Sequence, residues 1–456
     1  MEIKALYIYL GKERVGTLFK YGSDNPIIRF VADQAYADRR NPPTLSLSML
    51  AEDPAQQRAF WADVTQPVFN GAYTAKNGFL LPAFFQGLLP EGVFRDHVAI
   101  ERHCAPNDHF EMLAATGDDL PGNVYARNAN LSHDEMAHLV TQDADSLEMS
   151  VTAAPMEAGV SVSGLQPKLA ALKEGERYVA RTRLQSTRII AKLPVVGYPR
   201  LPELEDLSLR LAAAAGVTVC EAHLEPLEKL AMEHGYDLGD DATGKTNFLA
   251  VVRFDRPNGK NGRYHVEDFG QIMQIEPENK YNTSYLEIAA AMLAEPSLGE
   301  AAIHELLRRM TVNELLGNAD MHVKNIGVIY RDGVTPELSP AYDIVGYSAY
   351  GKREGHALFI VPPMLLPPTT KDKPTPKQQL RPTLVRKFAE LLELVEKPLQ
   401  TVIKQTVLKA IKTWPEMIQD SLLTEKQKGR LLAYFESRPL VVSARKRPER
   451  QEATSE

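Results

Sequence analysis

Between Asp320 and Tyr330 the chain reads DMHVKNIGVIY, which places a carboxylate, a histidine, a lysine and a carboxamide in its first six residues. SPAYDI follows from Ser339 to Ile344 and brings a second carboxylate, Asp343, after a short apolar run. An Asp-x4-Asn loop followed by a further Asp is the donor set that magnesium-dependent phosphoryl transfer needs. Asp320 would orient or deprotonate an attacking hydroxyl. The amide oxygen of Asn325 and the carboxylate of Asp343 would hold magnesium, which prefers hard oxygen ligands. Asp and Asn also cap turns, so the loop alone decides little.

Two further segments add to it. Lys192 sits inside the apolar run IIAKLP, and a lysine in a buried strand is costly unless it is paired. The next helical stretch offers Glu203 and Glu205 as partners. In protein kinases such a strand lysine grips nucleotide phosphates and pairs with a helix glutamate. Ser161 to Leu169, SVSGLQPKL, is a small-residue turn whose backbone N–H groups could cradle phosphate oxygens. It is not a P-loop, because Leu165-Gln166 stands where Lys-Ser/Thr is required. A zinc site at His322 would need His or Cys neighbours that the sequence lacks.

These residues need strands and helices to hold them. Ile3 to Tyr9 alternates, Gly11-Lys12 turns, and Val15 to Phe19 pairs back as a hairpin. Arg188 to Leu193 and Phe248 to Phe254 read as buried strands. Pro202 to Gly216 reads as a helix, with a proline at its start and a glycine stop. Ser284–Glu295, Glu300–Leu316, Thr383–Val395 and Leu399–Lys412 carry helical periodicity. Pro362 to Pro382 reads as a mobile proline- and lysine-rich loop, and the polar tail from Ser443 as unstructured.

The chain has 456 residues, of which 44% are hydrophobic and 24% charged, so it can bury two or three cores and is not disordered throughout. Its net charge of −7 gives no overall pull toward nucleic acid or anionic membrane. Two cysteines, Cys104 and Cys220, make no disulfide scaffold and suit a reducing cytosol. No stretch approaches the roughly 18–20 apolar residues of a membrane span. A cytoplasmic protein without membrane partners is expected.

The order of the segments is that of a bilobal kinase: phosphate loop, strand lysine, helix glutamate, hinge-like strand, Asp-x4-Asn, metal Asp. The residues resemble one family in particular, the HipA-type serine/threonine kinases of bacterial toxin–antitoxin pairs. SVSGLQPKL is similar to that family's phosphate loop, IIAKLP to its lysine strand and VVRFDR to its hinge. GNADMHVKN is similar to its catalytic loop and SPAYD to its metal motif. FFQGLLPEG and DHFEMLAATGDD resemble its N-terminal region.

The resemblance implies an α+β, bilobal protein-kinase-like fold, with a mixed α/β N-terminal lobe and a mostly helical C-terminal lobe. It implies an N-terminal domain over 1–110, a kinase N-lobe over 111–257, a helical C-lobe over 258–440 and a disordered tail over 441–456. Asp320, Lys192 and Glu205 would be catalytic. Ser163, Gly164, Leu165, Gln166, Pro167 and Lys168 would lie over the phosphates of ATP. Val252, Arg253 and Phe254 would meet adenine, mainly through backbone groups. His322, Val323, Lys324, Asn325, Tyr342 and Asp343 would complete the nucleotide pocket, with Mg2+ on Asn325 and Asp343. Ser161 or Ser163 would be autophosphorylated. The implied substrate is a translation component, an aminoacyl-tRNA synthetase. The implied partner is a small helix-turn-helix antitoxin of HipB type, with DNA reached through that complex. A small-molecule or lipid-type kinase of the same fold is the alternative. A DNA-tethered module with a dead kinase fold is a third reading, opposed by the intact Asp320, Asn325, Asp343 and Lys192.

Overall fold

The structure is a computed structural model and describes residues 2–22, 27–74, 78–132, 135, 148–149, 167–179, 187–232, 236–239, 242–257, 262–351, 355–366 and 378–452. The chain opens with the expected hairpin. Strand Glu2–Leu10 pairs antiparallel with Glu13–Tyr21 through a turn at Gly11, whose φ of 65° is the left-handed conformation that glycine adopts without strain. Ile27–Ala32 and Val124–Asn128 flank the pair. Helices Ala83–Gly87, Gly92–Arg102 and His109–Thr116 cover one face of this sheet. Leu6, Ile8, Leu18, Phe30, Phe85, Val98 and Leu113 meet in its core.

A second sheet has six strands, in the order Ala222–Pro226, Asn247–Val252, Ile189–Lys192, Lys168–Glu174, Arg177–Val179, Leu230–Ala231. Its register sets Lys192 opposite Leu249 on one side and Lys168 on the other. Helix Leu201–Ala215 follows the lysine strand and stops at Gly216, whose φ is 99°. Leu204, Leu207 and Leu211 recur on one face and are fully buried, in a core shared with Leu249 and Val251.

The remaining chain is mainly helical. Tyr285–Ala294, Gly299–Leu316, Pro382–Leu391, Glu396–Gln419 and Glu425–Glu436 surround a small sheet of His265–Asp268, Gly327–Tyr330 and Pro336–Leu338. Trp414 is fully buried, and its indole N–H donates to the Leu211 carbonyl at 2.9 Å, tying the long helix to the one after the lysine strand. No helix is long and apolar enough to cross a membrane among the described residues.

Two expectations need correction. The tail from 441 does not lack structure over its described length: helix Pro439–Glu452 forms there. Its composition is polar, but Val441 is fully buried against the core of Trp414 and Phe435, and Leu440 and Ala444 pack beside it, which docks the helix start. Of the proline- and lysine-rich stretch, residues 367–377 lie outside the described residues. Its far end is fixed, because the Gln378 side chain accepts from the amides of Ile360 and Val361 at 2.6 and 2.9 Å.

The N-terminal sheet is joined to the strand Asn247–Val252 by a buried ionic cluster. Asp119 takes Arg256 at 3.0 Å and Arg263 at 3.2 Å. Asp255 takes Arg253 at 3.0 Å and the Gly122 amide at 2.9 Å. The arginines outnumber the carboxylates, and some of the remaining donors go to neutral oxygens, including the Gly122 carbonyl at 3.0 Å from Arg256.

Candidate active site

Lys192 ends its strand and is buried, only 4% exposed. It donates to Glu205 Oε1 and to Asp343 Oδ1. Helical spacing allows either Glu203 or Glu205 to face the lysine, and the two diverge. Glu203 accepts from Arg200 at 2.9 Å and from Asn247 at 3.0 Å instead. Lys168, the cross-strand neighbour of Lys192, reaches Asp343 Oδ2 at 3.5 Å. Two lysines and two carboxylates therefore form one nearly neutral buried cluster. Burial disfavours the Lys192 ammonium, but the carboxylates of Asp343 and Glu205 outweigh it and hold its pKa above the ordinary value. Burial likewise disfavours the Asp343 carboxylate, yet Lys168 and Lys192 keep its pKa well below the usual range. Burial wins at Lys168, whose pKa falls. Asp343 itself has a φ of 54°, a conformation that Asp and Asn tolerate better than other side chains.

The second half of the site hangs from the helix Gly299–Leu316, which ends at Gly317 with φ 69°. Asn318 then organises the loop. Its side chain donates to Asn313 Oδ1 and accepts the Asp320 amide at 3.2 Å. The Asp320 carbonyl accepts from the His322 amide at 2.8 Å and from Asn325 Nδ2 at 2.7 Å. The carboxamide oxygen of Asn325 is thus left for another partner. The Asp320 carboxylate is 43% exposed and accepts a 2.7 Å hydrogen bond from the Tyr281 hydroxyl. His322 Nε2 stands 3.7 Å from the same oxygen. Burial and the nearby Lys280 lower the His322 pKa to about 4, so its imidazole is neutral near pH 7. Lys324 turns away from Asp320 to pair with Glu91, which also takes Lys280 at 3.4 Å. Despite its burial, Glu91 is brought down to a pKa of about 2 by these two lysines.

A cleft between the second sheet and the loop Asp320–Asn325 encloses about 1030 Å³ of empty space, its open mouth included. Lys168, Lys192, Lys324, Asn325, Tyr342 and Asp343 line it, as do Val252, Arg253 and Phe254. The Phe254 and Tyr342 rings stack at 5.8 Å and 30°. Burial pushes the thiol of Cys220, on the same wall, up to about 12.

Several expected pocket residues stand elsewhere. Val323 is fully buried in the helical core and His322 is packed against Tyr281, so neither lines the cleft. A short 3-10 turn over Val323–Asn325 rotates them away while keeping Lys324 and Asn325 on the cleft wall. Glu205 lies behind Lys192 and does not line it, nor does Pro167, whose carbonyl accepts the Leu193 amide at 3.0 Å. The guanidinium of Arg253 belongs to the buried ionic cluster. The amides of Val252 and Arg253 are already bonded to the carbonyls of Glu221 and Arg188 at 2.8 and 2.9 Å. Among the described residues, the Phe254 amide is the hinge donor that makes no backbone hydrogen bond. Ser161, Ser163, Gly164, Leu165 and Gln166 lie outside the described residues.

The oxygen donors fit magnesium. Asp343 is held ionised, and Asn325, which lines the same cleft, keeps its carboxamide oxygen uncommitted. Two protein oxygens are enough, because magnesium keeps waters and takes phosphate oxygens for the rest. Among the described residues, no three of His, Cys, Asp and Glu gather into a metal cage.

The sequence reading missed Glu91, Tyr281, Asn318 and two acids on the cleft wall, Asp268 and Glu267. Burial raises Asp268 to about 6, against the pull of Lys324. Burial raises Glu267 to about 7, against its hydrogen bonds from Ser46 and Tyr330. Asn318 could have been found, since GNAD places another Asx residue two positions before Asp320. Glu91 carries no such signal, because its partners lie far along the chain.

The mixed α/β architecture and this paired-lysine, paired-carboxylate cleft define a kinase-like α+β fold. Residues 160–414 match the HipA-like C-terminal domain and residues 6–127 the HipA N-terminal domain. The chain belongs to the HipA family of kinases. The Sinorhizobium fredii protein Y4dM, whose kinase name is itself provisional, is 32% identical over 363 residues, spanning 78% of this chain and 80% of its own. The serine/threonine-protein kinase toxin HipA of Shewanella oneidensis is 26% identical over 327 residues, 65% of this chain and 69% of the toxin. In fold, the chain is similar to a solved structure of the Shewanella oneidensis HipA, HipB and operator DNA complex. The TM-score is 0.64 at 19% identity, with 97% of each chain covered.

Proposed function

We propose that this chain is an ATP- and magnesium-dependent serine/threonine protein kinase and the toxin of a toxin–antitoxin pair. The observation that carries this reading is Lys192 held between Glu205 and Asp343 in a cleft that Asn325 also lines, with the Asn325 amide bonded to the Asp320 carbonyl. The N-terminal domain runs to Asn128 rather than ending at 110, because helix His109–Thr116 and strand Val124–Asn128 pack into the N-terminal sheet and its core. The chain from there to 257 and residues 258–440 are the two lobes, meeting at Val252–Phe254. Bound magnesium would supply charge neutralisation between the ATP phosphates, held by Asn325 and Asp343. Lys168 and Lys192 carry the positive charge for phosphate oxygens, and Glu205 keeps Lys192 in place. Phe254 and Tyr342 offer ring faces to adenine, and the Phe254 amide a donor. Asp320 takes the proton of a seryl or threonyl hydroxyl as that oxygen bonds to the γ-phosphorus and the bond to ADP breaks.

The family membership supports a translation component, an aminoacyl-tRNA synthetase, as substrate. The Shewanella complex supports a helix-turn-helix partner of HipB type, with DNA met through it. Ser161 or Ser163 is the proposed site of autophosphorylation. Phosphate there adds roughly −1.5 to −2 charges near the ATP phosphates and switches the enzyme off.

The test is incubation with γ-labelled ATP and magnesium, followed by mass spectrometry. Label on a protein serine or threonine is expected. Label only on an added metabolite or lipid headgroup would favour the small-molecule kinase. No transfer to any acceptor would overturn the kinase reading.

A further inference from the structure

The backbone of Asp320 is fixed by three hydrogen bonds, but its carboxylate stands half in solvent. A half-exposed aspartate populates several rotamers unless something holds it. No lysine or arginine pairs with it among the described residues, and Lys324, the nearest cation in the motif, is committed to Glu91. What reaches it is a tyrosine from 39 residues earlier: the Tyr281 hydroxyl donates to Oδ1 at 2.7 Å. We infer that Tyr281 is a positioning residue, which fixes one oxygen of Asp320 so that the other faces the incoming hydroxyl. This inference rests on the kinase reading above.

The tyrosine is itself held. Its ring meets His322 edge-to-face at 5.1 Å and 83°. The Lys280 ammonium lies 5.7 Å from the ring centroid and is tied to Glu91. The chain turn is closed by the Asn282 amide on the Asn279 carbonyl at 2.7 Å. Burial and the bonded carboxylate both raise the phenol pKa, so the hydroxyl stays a donor throughout the working range. Tyr281 is nevertheless 47% exposed, far more than packing alone would call for in so large a ring. Its position thus reflects the carboxylate rather than a core.

The test is Tyr281→Phe in the full chain, read by self-labelling with γ-labelled ATP as a function of ATP and of protein concentration. Hydrogen bonds to charged groups of this kind correspond to about 10- to 100-fold. The maximal rate is expected to fall by that factor. The half-saturating ATP, the half-saturating protein concentration and Tm are expected to stay within about twofold or 2 °C of the parent. An unchanged rate would overturn the inference. A faster rate would overturn it too, making the hydroxyl a block on Asp320. A loss confined to the half-saturating protein concentration would make Tyr281 an acceptor contact, and a fallen Tm with lost ATP binding a structural residue. If the parent chain does not label itself or any acceptor, the kinase reading fails rather than this refinement of it.

Discussion

The carboxylate of Glu91 grips the ammonium of Lys324, 233 residues further along the chain. The loop Asp320–Asn325 is thereby held in part by the N-terminal region, which supplies no other charge to it among the described residues. The same carboxylate holds Lys280, the neighbour of Tyr281, so one acid braces both segments that meet at Asp320.

Glu91→Gln should loosen that brace. Both partners are mostly buried, so removing the charge is expected to cost about 1–3 kcal/mol and to slow phosphoryl transfer. The pH dependence has a definite sign. The folded pKa of Glu91, about 2, lies below its unfolded value of about 4.3. Its contribution is complete above about pH 4.3 and is lost as pH falls toward 2. Thermal melts of parent and variant should therefore differ most at neutral pH and converge in acid. Melts that differ equally at pH 7 and pH 2 would assign the effect to packing.

Asp320→Asn is expected to lower transfer by about 10²–10⁴-fold while leaving ATP affinity intact, because the carboxylate acts on the hydroxyl and other groups hold the nucleotide. Labelling and equilibrium ATP binding check this together. Near-normal labelling would remove Asp320 from its role.

Asp343→Asn separates charge from backbone, since asparagine also tolerates the φ of 54° found there. Magnesium should then no longer strengthen ATP binding, and the rate should fall. Isothermal titration with and without magnesium measures it. A magnesium effect as large as in the parent would make Asp343 a structural partner of Lys168 and Lys192.

Glu267 runs opposite to Glu91. Burial lifts it to about 7, above its unfolded value of about 4.3, so the folded chain binds its proton more tightly. Its neutral form is favourable below about pH 4. Stability is then lost as pH rises from about 4 to 7, where ionisation strands a charge beside Ser46 and Tyr330. Glu267→Gln should flatten that part of the Tm–pH curve relative to the parent. Parallel curves over this range would show that Glu267 does not titrate there.

What the sequence made legible follows physical compulsion. A lysine in an apolar strand must have a partner, so Lys192 pointed to the helix after it. The spacing alone did not choose between Glu203 and Glu205, because both begin the same helix; the family resemblance chose Glu205, and Lys192 does donate to it. The loop from Asp320 to Asn325 stood out because four polar groups cluster there. Whether His322 and Val323 face the cleft depends on a single 3-10 turn, which no periodicity announces. Arg253 looked available for adenine because a hinge is defined by its backbone. Its side chain answers instead to Asp119 and Asp255, and the first of those lies far away in sequence. The helix from Pro439 escaped notice because its anchors, Leu440, Val441 and Ala444, are few in a polar segment.

The ionic cluster around Asp119 bears on how such proteins can be rearranged. Arg253, Asp255 and Arg256 belong to the hinge, yet Asp119 and Gly122 complete their coordination from the N-terminal side. A graft that exchanged residues 6–127 for a segment without a carboxylate at position 119 would strand buried guanidinium groups of Arg253 and Arg256. The seam that looks like a module boundary in the chain is a shared joint in space.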